Sequence, residues 1–254
     1  SSYFFSKDGE FDFSFLRKIP KFPNKNLFKK LGIDINNEEE IAKNYIKVQN
    51  YLNNEKKSLT LLKTHFGLFK VSDNYFTDLN HTVGAIYVVR DPRNVSLSLA
   101  NYYGITNKKA TEIITSENFN LQDGKTLLID YVGSWKLHYN SWKSLGTKVL
   151  IIKYEDLILN TEKVVLLVLN FIGNLINSKT EINHKKLLKS INSTKFEKLK
   201  DLEKKGEFTE KKYLKGEAFF NKGSKTNYKT QLDKNLQKKI EENFLEEIKE
   251  LKYL

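Results

Sequence analysis

The sequence has no cysteine, no methionine, three prolines and only 12 glycines in 254 residues. Without cysteine a disulfide scaffold is excluded, and the compartment stays otherwise open. So little proline and glycine leaves scant material for a linker. No Pro-, Gly- or Ser-rich joint and no internal repeat stands out, so one domain over residues 1–254 is expected. The longest apolar run, Val164 to Leu169, is far too short to span a bilayer, and no signal peptide opens the chain. The absence of methionine, even at the start, is abnormal for this length. The sequence is therefore expected to be cut at its beginning, with modified methionines dropped from its interior. Acidic residues are the minority charge: 31 Asp and Glu face 43 Lys and Arg, a net charge of +12. That balance suits nucleic acid, an anionic membrane surface or a polyanionic small ligand. The lysines are spread along the whole chain, so most read as solvated surface, with a few left to converge on phosphate or sulfate.

Three segments read as strands: TLLKTH (60–65), GAIYVVR (84–90) and KVLIIKYEDL (148–157). Their apolar residues are continuous rather than alternating, the pattern of a sheet covered on both faces. Between them lie helical segments. NEEEIAKNYIKVQNYLNNEKK spaces Ile41, Tyr45, Val48 and Leu52 by three and four. DGKTLLIDYVGSWKLHYNSWKSL is long enough for two helices or one kinked helix. NTEKVVLLVLNFIGN opens on Asn160-Thr161 and is expected to close at Gly173-Asn174. The tail sets Leu236, Ile240, Phe244, Ile248 and Leu251 on one face. The alternation predicts a three-layer α/β/α domain with a central, mainly parallel sheet, and ligands at the carboxyl ends of its strands. Those ends are Lys63-Thr64-His65, Arg90 and Tyr154-Glu155-Asp156.

In IYVVRDPRNVSLSLANYYG a strand runs straight into Arg90. Asp91 is a capping residue, Pro92 suits a first helical turn, and Ser98 follows about two turns on. A helix N-terminus with a guanidinium beside it makes an anion site, with phosphate the best fit. On spacing alone Arg90 serves equally well as the partner of a surface carboxylate. Gly124-Lys125-Thr126 resembles the tail of a Walker A loop, but Phe119 stands where its first glycine belongs and no strand precedes it.

In this order the pieces resemble the sulfotransferase family that uses 3'-phosphoadenosine 5'-phosphosulfate (PAPS), whose fold is P-loop-like. YVVRDPRNVSLS is similar to its 3'-phosphate segment, which implies that Arg90 and Ser98 bind that phosphate. LLKTHFG resembles the segment with the catalytic His, matching Lys63 and His65. VLIIKYEDL puts Tyr154 near the adenine, and NSTKFEKLK adds Thr194 and Phe196 there. FFNKGSKTNYKTQL resembles the loop that closes on the 3'-phosphate, matching Lys222 and Gly223, although Asn221 replaces the family's Arg and Tyr228 its Trp. GSWKLHYNSW resembles a segment lining the acceptor site, so His138 is a candidate contact, with Phe66, Tyr102, Tyr103 and Trp135 hinting at an aromatic pocket. The resemblance runs from about residue 60 to the end. The family's opening loop of the type YPKSGTTW, which grips the phosphosulfate and carries a catalytic Lys, has no counterpart and is expected to precede Ser1.

Sulfuryl transfer needs an in-line nucleophile and fixed cations for the spreading charge. A neutral His, with a pKa near 6.5, is a suitable base for an acceptor hydroxyl or amine and contributes about 10²–10⁴-fold. His65 fills that role, and Lys63, two residues away on the same strand face, reaches the moving group. Taken singly, His65, Tyr154 and Phe196 each read as structural residues. His81 and His184 read as surface or loop, and the four histidines have no metal-ligand spacing, so no metal is expected. The implied enzyme is cytoplasmic, a monomer or homodimer acting on a small molecule or glycan, without nucleic-acid or membrane partners. Two alternatives stay open: a P-loop kinase-like phosphotransferase, for which no Mg²⁺-binding residue or Walker B acid can be assigned, and a basic nucleic-acid-binding protein.

Overall fold

A computed structural model describes residues 2–56, 59–122, 128–178, 181–208, 215, 218–220 and 227–254. Helices α1 (Ser2–Phe5), α2 (Lys25–Lys30), α3 (Glu38–Lys43) and α4 (Tyr45–Lys56) lead to a small hairpin of β1 (Lys70–Val71) and β2 (Asn74–Tyr75). Then come β3 (Ala85–Val89), α5 (Pro92–Tyr103), α6 (Asn107–Thr115), β4 (Asn120–Leu121), β5 (Asp130–Tyr131) and α7 (Trp135–Lys143). After β6 (Val149–Lys153) the chain is helical: α8 (Tyr154–Leu159), α9 (Thr161–Leu175), α10 (His184–Ser193), α11 (Phe196–Lys204), α12 (Tyr228–Gln231), α13 (Lys234–Asn243) and α14 (Leu245–Glu250).

The α/β reading holds; among the described residues the parallel pairs are β3 with β6 and a single bridge between Lys21 and Lys63. The other two pairs are antiparallel and two residues long. Several expected elements differ. Residues 60–65 form no strand; Lys63 makes one bridge to Lys21, exchanging backbone bonds with Pro20 and Phe22 at 3.0 and 2.8 Å. Of the two helices or one kinked helix expected over 123–145, the described residues form only α7, because Asp130–Tyr131 pairs with Asn120–Leu121 and Gly133 turns at φ +69°. Helix α9 runs past Gly173 to Leu175, and the left-handed residue is Asn177. Tyr154 opens α8 rather than ending a strand. The first helical pattern breaks at Asn44 and the last at Phe244.

Helix α5 forms as its sequence dictates. The Asp91 side chain accepts the Arg93 N–H, Pro92 occupies the first turn, and Gly104 ends the helix at φ +60°. A Cβ at Gly104 would also lie 3.2 Å from the Lys215 carbonyl oxygen. At Gly84 the entry to β3 is so close to β6 that a Cβ would meet the Lys148 carbonyl oxygen at 2.8 Å.

One core gathers Phe22, Phe28, Ile41, Tyr45, Val48, Phe66, Phe76 and Trp142. A second joins Ile114 to Ile240, Phe244 and Ile248, so the C-terminal helices pack on α5 and α6. Val89 and Tyr139 meet Leu251 between them. Strand β3 thus buries one face only. Ile86 and Val88 on the other are 39% and 52% exposed, against the expectation of two covered faces.

Candidate active site

In the parallel pair Val89 lies opposite Lys153, so the next residues, Arg90 and Tyr154, emerge side by side. The Arg90 guanidinium lies 4.5 Å from the centre of the Tyr154 ring. Its Nη1 donates to Ser98 Oγ at 3.0 Å. Three residues singled out in the sequence therefore meet where β3 ends and α5 begins.

Asp91, the cap of α5, would set a carboxylate against any anion held there. Arg93 answers that charge. Its Nε and Nη2 donate to the two Asp91 oxygens at 2.9 and 2.7 Å. Nη1 donates to Glu241 at 2.5 Å and Nη2 to the Tyr253 carbonyl at 2.6 Å, while the guanidinium lies on the Tyr228 ring at 3.9 Å. Burial opposes the charge of Arg93, but its bonds to Asp91 and Glu241 outweigh that and raise its pKa. Glu155 completes the group: it accepts the Asp91 N–H at 3.4 Å and the Tyr253 hydroxyl at 2.8 Å. The sequence reading passed over Arg93. Its nearness to Arg90 and Asp91 was visible, but Glu241 and Tyr253 lie 148 and 160 residues away and leave no local signal.

A cavity of about 1110 Å³ opens beside this group, and Lys63, His65, Tyr87, Arg90, Tyr103, Trp135 and His138 are in its wall. Lys63 and His65 are exposed. The backbone after His65 is clamped by α7, whose own start is capped by Ser134 accepting the Leu137 N–H. Trp142 Nε1 donates to the Phe66 carbonyl at 2.9 Å, and Ser141 Oγ accepts the Leu68 N–H at 2.9 Å. His138 Nε2 lies 3.3 Å from the His65 carbonyl oxygen. Residues 138, 141 and 142 share one helix face, so a single side of α7 holds the run 65–68.

Phe66 is not in the cavity wall. It is fully buried, stacked on Phe76 with centroids 4.1 Å apart, because successive side chains of an extended backbone point to opposite sides. His138 is in the wall, but its nitrogens engage the protein: Nδ1 pairs with the Tyr87 hydroxyl at 2.9 Å. Burial lowers its pKa from 6.5 to about 4. Thr194 ends α10 and donates to the Ser190 carbonyl at 2.9 Å. Phe196 opens α11, 6.2 Å from Phe220. These contacts do not join either residue to Arg90. Lys222 and Gly223 lie outside the described residues, as does 123–127 with the Walker-like tripeptide. The backbone leading to residue 221 is held by Glu203, which accepts the Phe219 and Phe220 N–H groups at 2.8 and 2.9 Å.

Among the described residues no helix is long and apolar enough to cross a membrane, and no cluster of His, Asp and Glu could hold a metal ion.

The profile of the sulfotransferase domain matches residues 11–252. Among solved structures the chain is similar to mouse sulfotransferase SULT7A1 complexed with PAP, at 18% identity and a TM-score of 0.55, over 78% of this chain and 70% of that one. It is similar to retinol dehydratase with retinol and PAP at 20% identity and a TM-score of 0.53, over 76% and 55% of the two chains. Retinol dehydratase with androsterone and the inactive cofactor PAP gives 20% and 0.53, over 85% and 66%. No curated protein matches the sequence.

Proposed function

The chain belongs to the sulfotransferase domain family, and from that premise we propose that it transfers a sulfuryl group from PAPS to an acceptor, with Arg90, Ser98 and Tyr154 holding the nucleotide and His65 acting as base. The observation that carries the proposal is the hydrogen bond from Arg90 to Ser98, made on the face of Tyr154 and at one end of the cavity that His65 and Lys63 border. The donor set fits a ribose 3'-phosphate: a guanidinium suited to bidentate binding, a hydroxyl, and a helix N-terminus whose capping carboxylate, Asp91, is already paired with Arg93. Thr194, Phe196, Lys222 and Gly223 belong to the same nucleotide-binding proposal.

Bound there, PAPS supplies the sulfuryl group: the acceptor oxygen bonds to sulfur as the bond from sulfur to the bridging phosphate oxygen breaks, and adenosine 3',5'-bisphosphate (PAP) leaves. The neutral imidazole of His65 takes the acceptor's proton. Lys63 sets a cation beside the reacting group. Leu99, Tyr103, Phe119 and Trp135 in the cavity wall favour an apolar alcohol or phenol over a glycan as acceptor. A single domain, a cytoplasmic location and a monomeric or homodimeric state complete this reading. The kinase-like and nucleic-acid-binding alternatives have no observation in their favour.

Thermal shift separates the possibilities. PAP alone should raise the melting temperature, while ATP with Mg²⁺ and a DNA oligomer should not. His65→Ala should keep PAP binding within a few fold and lose transfer of ³⁵S from labelled PAPS to a panel of phenols and sterols. Stabilisation by ATP-Mg²⁺ without PAP, or a His65→Ala enzyme with most of its turnover, would overturn the reading.

A further inference from the structure

We infer that His138 is a positioning residue for His65: a fixed, neutral imidazole that links the Tyr87 hydroxyl to the His65 carbonyl and so orients the base. The inference rests on the reading of His65 given above and deepens it.

A carbonyl oxygen only accepts, so the Nε2 that faces His65 at 3.3 Å carries the proton. Nδ1 is then the acceptor, and the Tyr87 hydroxyl donates to it at 2.9 Å. The two bonds select one tautomer, and neither ring nitrogen is left for an acceptor molecule. Tyr87 comes from β3, the strand that delivers Arg90. The link therefore connects the strand with the anion-binding end to the segment with the base. Holding the His65 carbonyl fixes the peptide plane that follows its Cα. Trp142 and Ser141 fix the next residues, so the Cα–Cβ direction of His65 is set by three bonds from one helix face. The imidazole of His65 then has only its own side-chain torsions left to settle. The titratable groups around the link agree with a neutral ring: burial draws the His138 pKa down to about 4 and pushes that of Tyr87 up, so neither ionises near neutrality.

The test needs no acceptor. With only four histidines in the chain, ¹⁵N-histidine labelling and long-range ¹H–¹⁵N correlation spectra report tautomer and environment for each ring. At pH 7, His138 should show the Nε2–H tautomer. His138→Leu should move the His65 ring resonances, with PAP affinity within about threefold of the parent by titration. His138→Gln, whose amide can still donate to the carbonyl, should leave the His65 resonances near their original positions. Tyr87→Phe should allow the second His138 tautomer to appear. An Nδ1–H tautomer in the parent, or His65 resonances unmoved in His138→Leu, would overturn the inference. These readouts stand apart from the His65→Ala assay. Retained turnover there sinks the role of the base, whereas unmoved resonances here sink only its support.

Discussion

Arg90 and Arg93 sit one helical turn apart and do different work. Arg90 reaches Ser98 and the Tyr154 ring, where its charge faces the cavity. Arg93 is 2% exposed and turned inward, where it cancels Asp91 and lets the helix end stay attractive to an anion. His138 brings a pH dependence at the same scale. Its folded pKa of about 4 lies below the ordinary 6.5, so the unfolded chain binds more protons between those values. Its contribution is complete above about pH 6.5 and is lost as pH falls toward 4, and it amounts to at most about 3 kcal/mol. The melting temperature of the parent should therefore fall relative to that of His138→Gln as pH drops from 7 to 4.5. A constant gap across that range would contradict the half-buried, neutral ring.

Helix α7 shapes the site through the backbone it holds as well as through Trp135 in the cavity wall. Trp142 is buried, and its indole N–H is bonded to the Phe66 carbonyl at 2.9 Å. Trp142→Phe keeps the apolar ring but leaves that carbonyl unpaired, which costs about 1–3 kcal/mol. We expect a melting temperature several degrees lower and a larger loss in turnover than in PAP affinity, read from calorimetry and titration. Elements were legible in the sequence where local chemistry was decisive. Asp91 and Pro92 announced the start of α5, and the continuous Leu, Ile and Val runs announced β3 and β6. They were not legible where distant partners decide. The segment 60–65 has strand-forming residues, yet among the described residues it forms no strand and makes a single bridge, from Lys63 to Lys21. The apolar residues before Ser134 look helical in sequence, but residues 130–131 are drawn into a strand pair.

For the whole molecule the arrangement around Arg93 matters most. Asp91 at the end of β3, Glu241 on α13 and Tyr253 near the C-terminus converge on one guanidinium. Replacing it, as in Arg93→Ala, leaves Asp91 buried without a cation, a loss of roughly 3–5 kcal/mol. That is a fall of about 10 °C in melting temperature for a chain of this size, with weaker PAP binding, both measurable by thermal shift. A variant as stable as the parent would show that the group is not a structural tie. Arg90, Ser98 and Tyr154 could be picked out together because two strand ends and one helix start bring them close. Phe66 could not be placed, since extended backbone allows either side and only the packed core decides. Glu203, too, gave no sign that it would hold the backbone before residue 221. The dependence on Tyr253 also sets an order in time. A polypeptide still emerging from the ribosome has its strands and α5 long before it has the carbonyl and phenol that finish this corner. The proposed capture of nucleotide therefore waits until Tyr253 has been made, and removing the segment that carries it would disable this corner while most of the folded body survives.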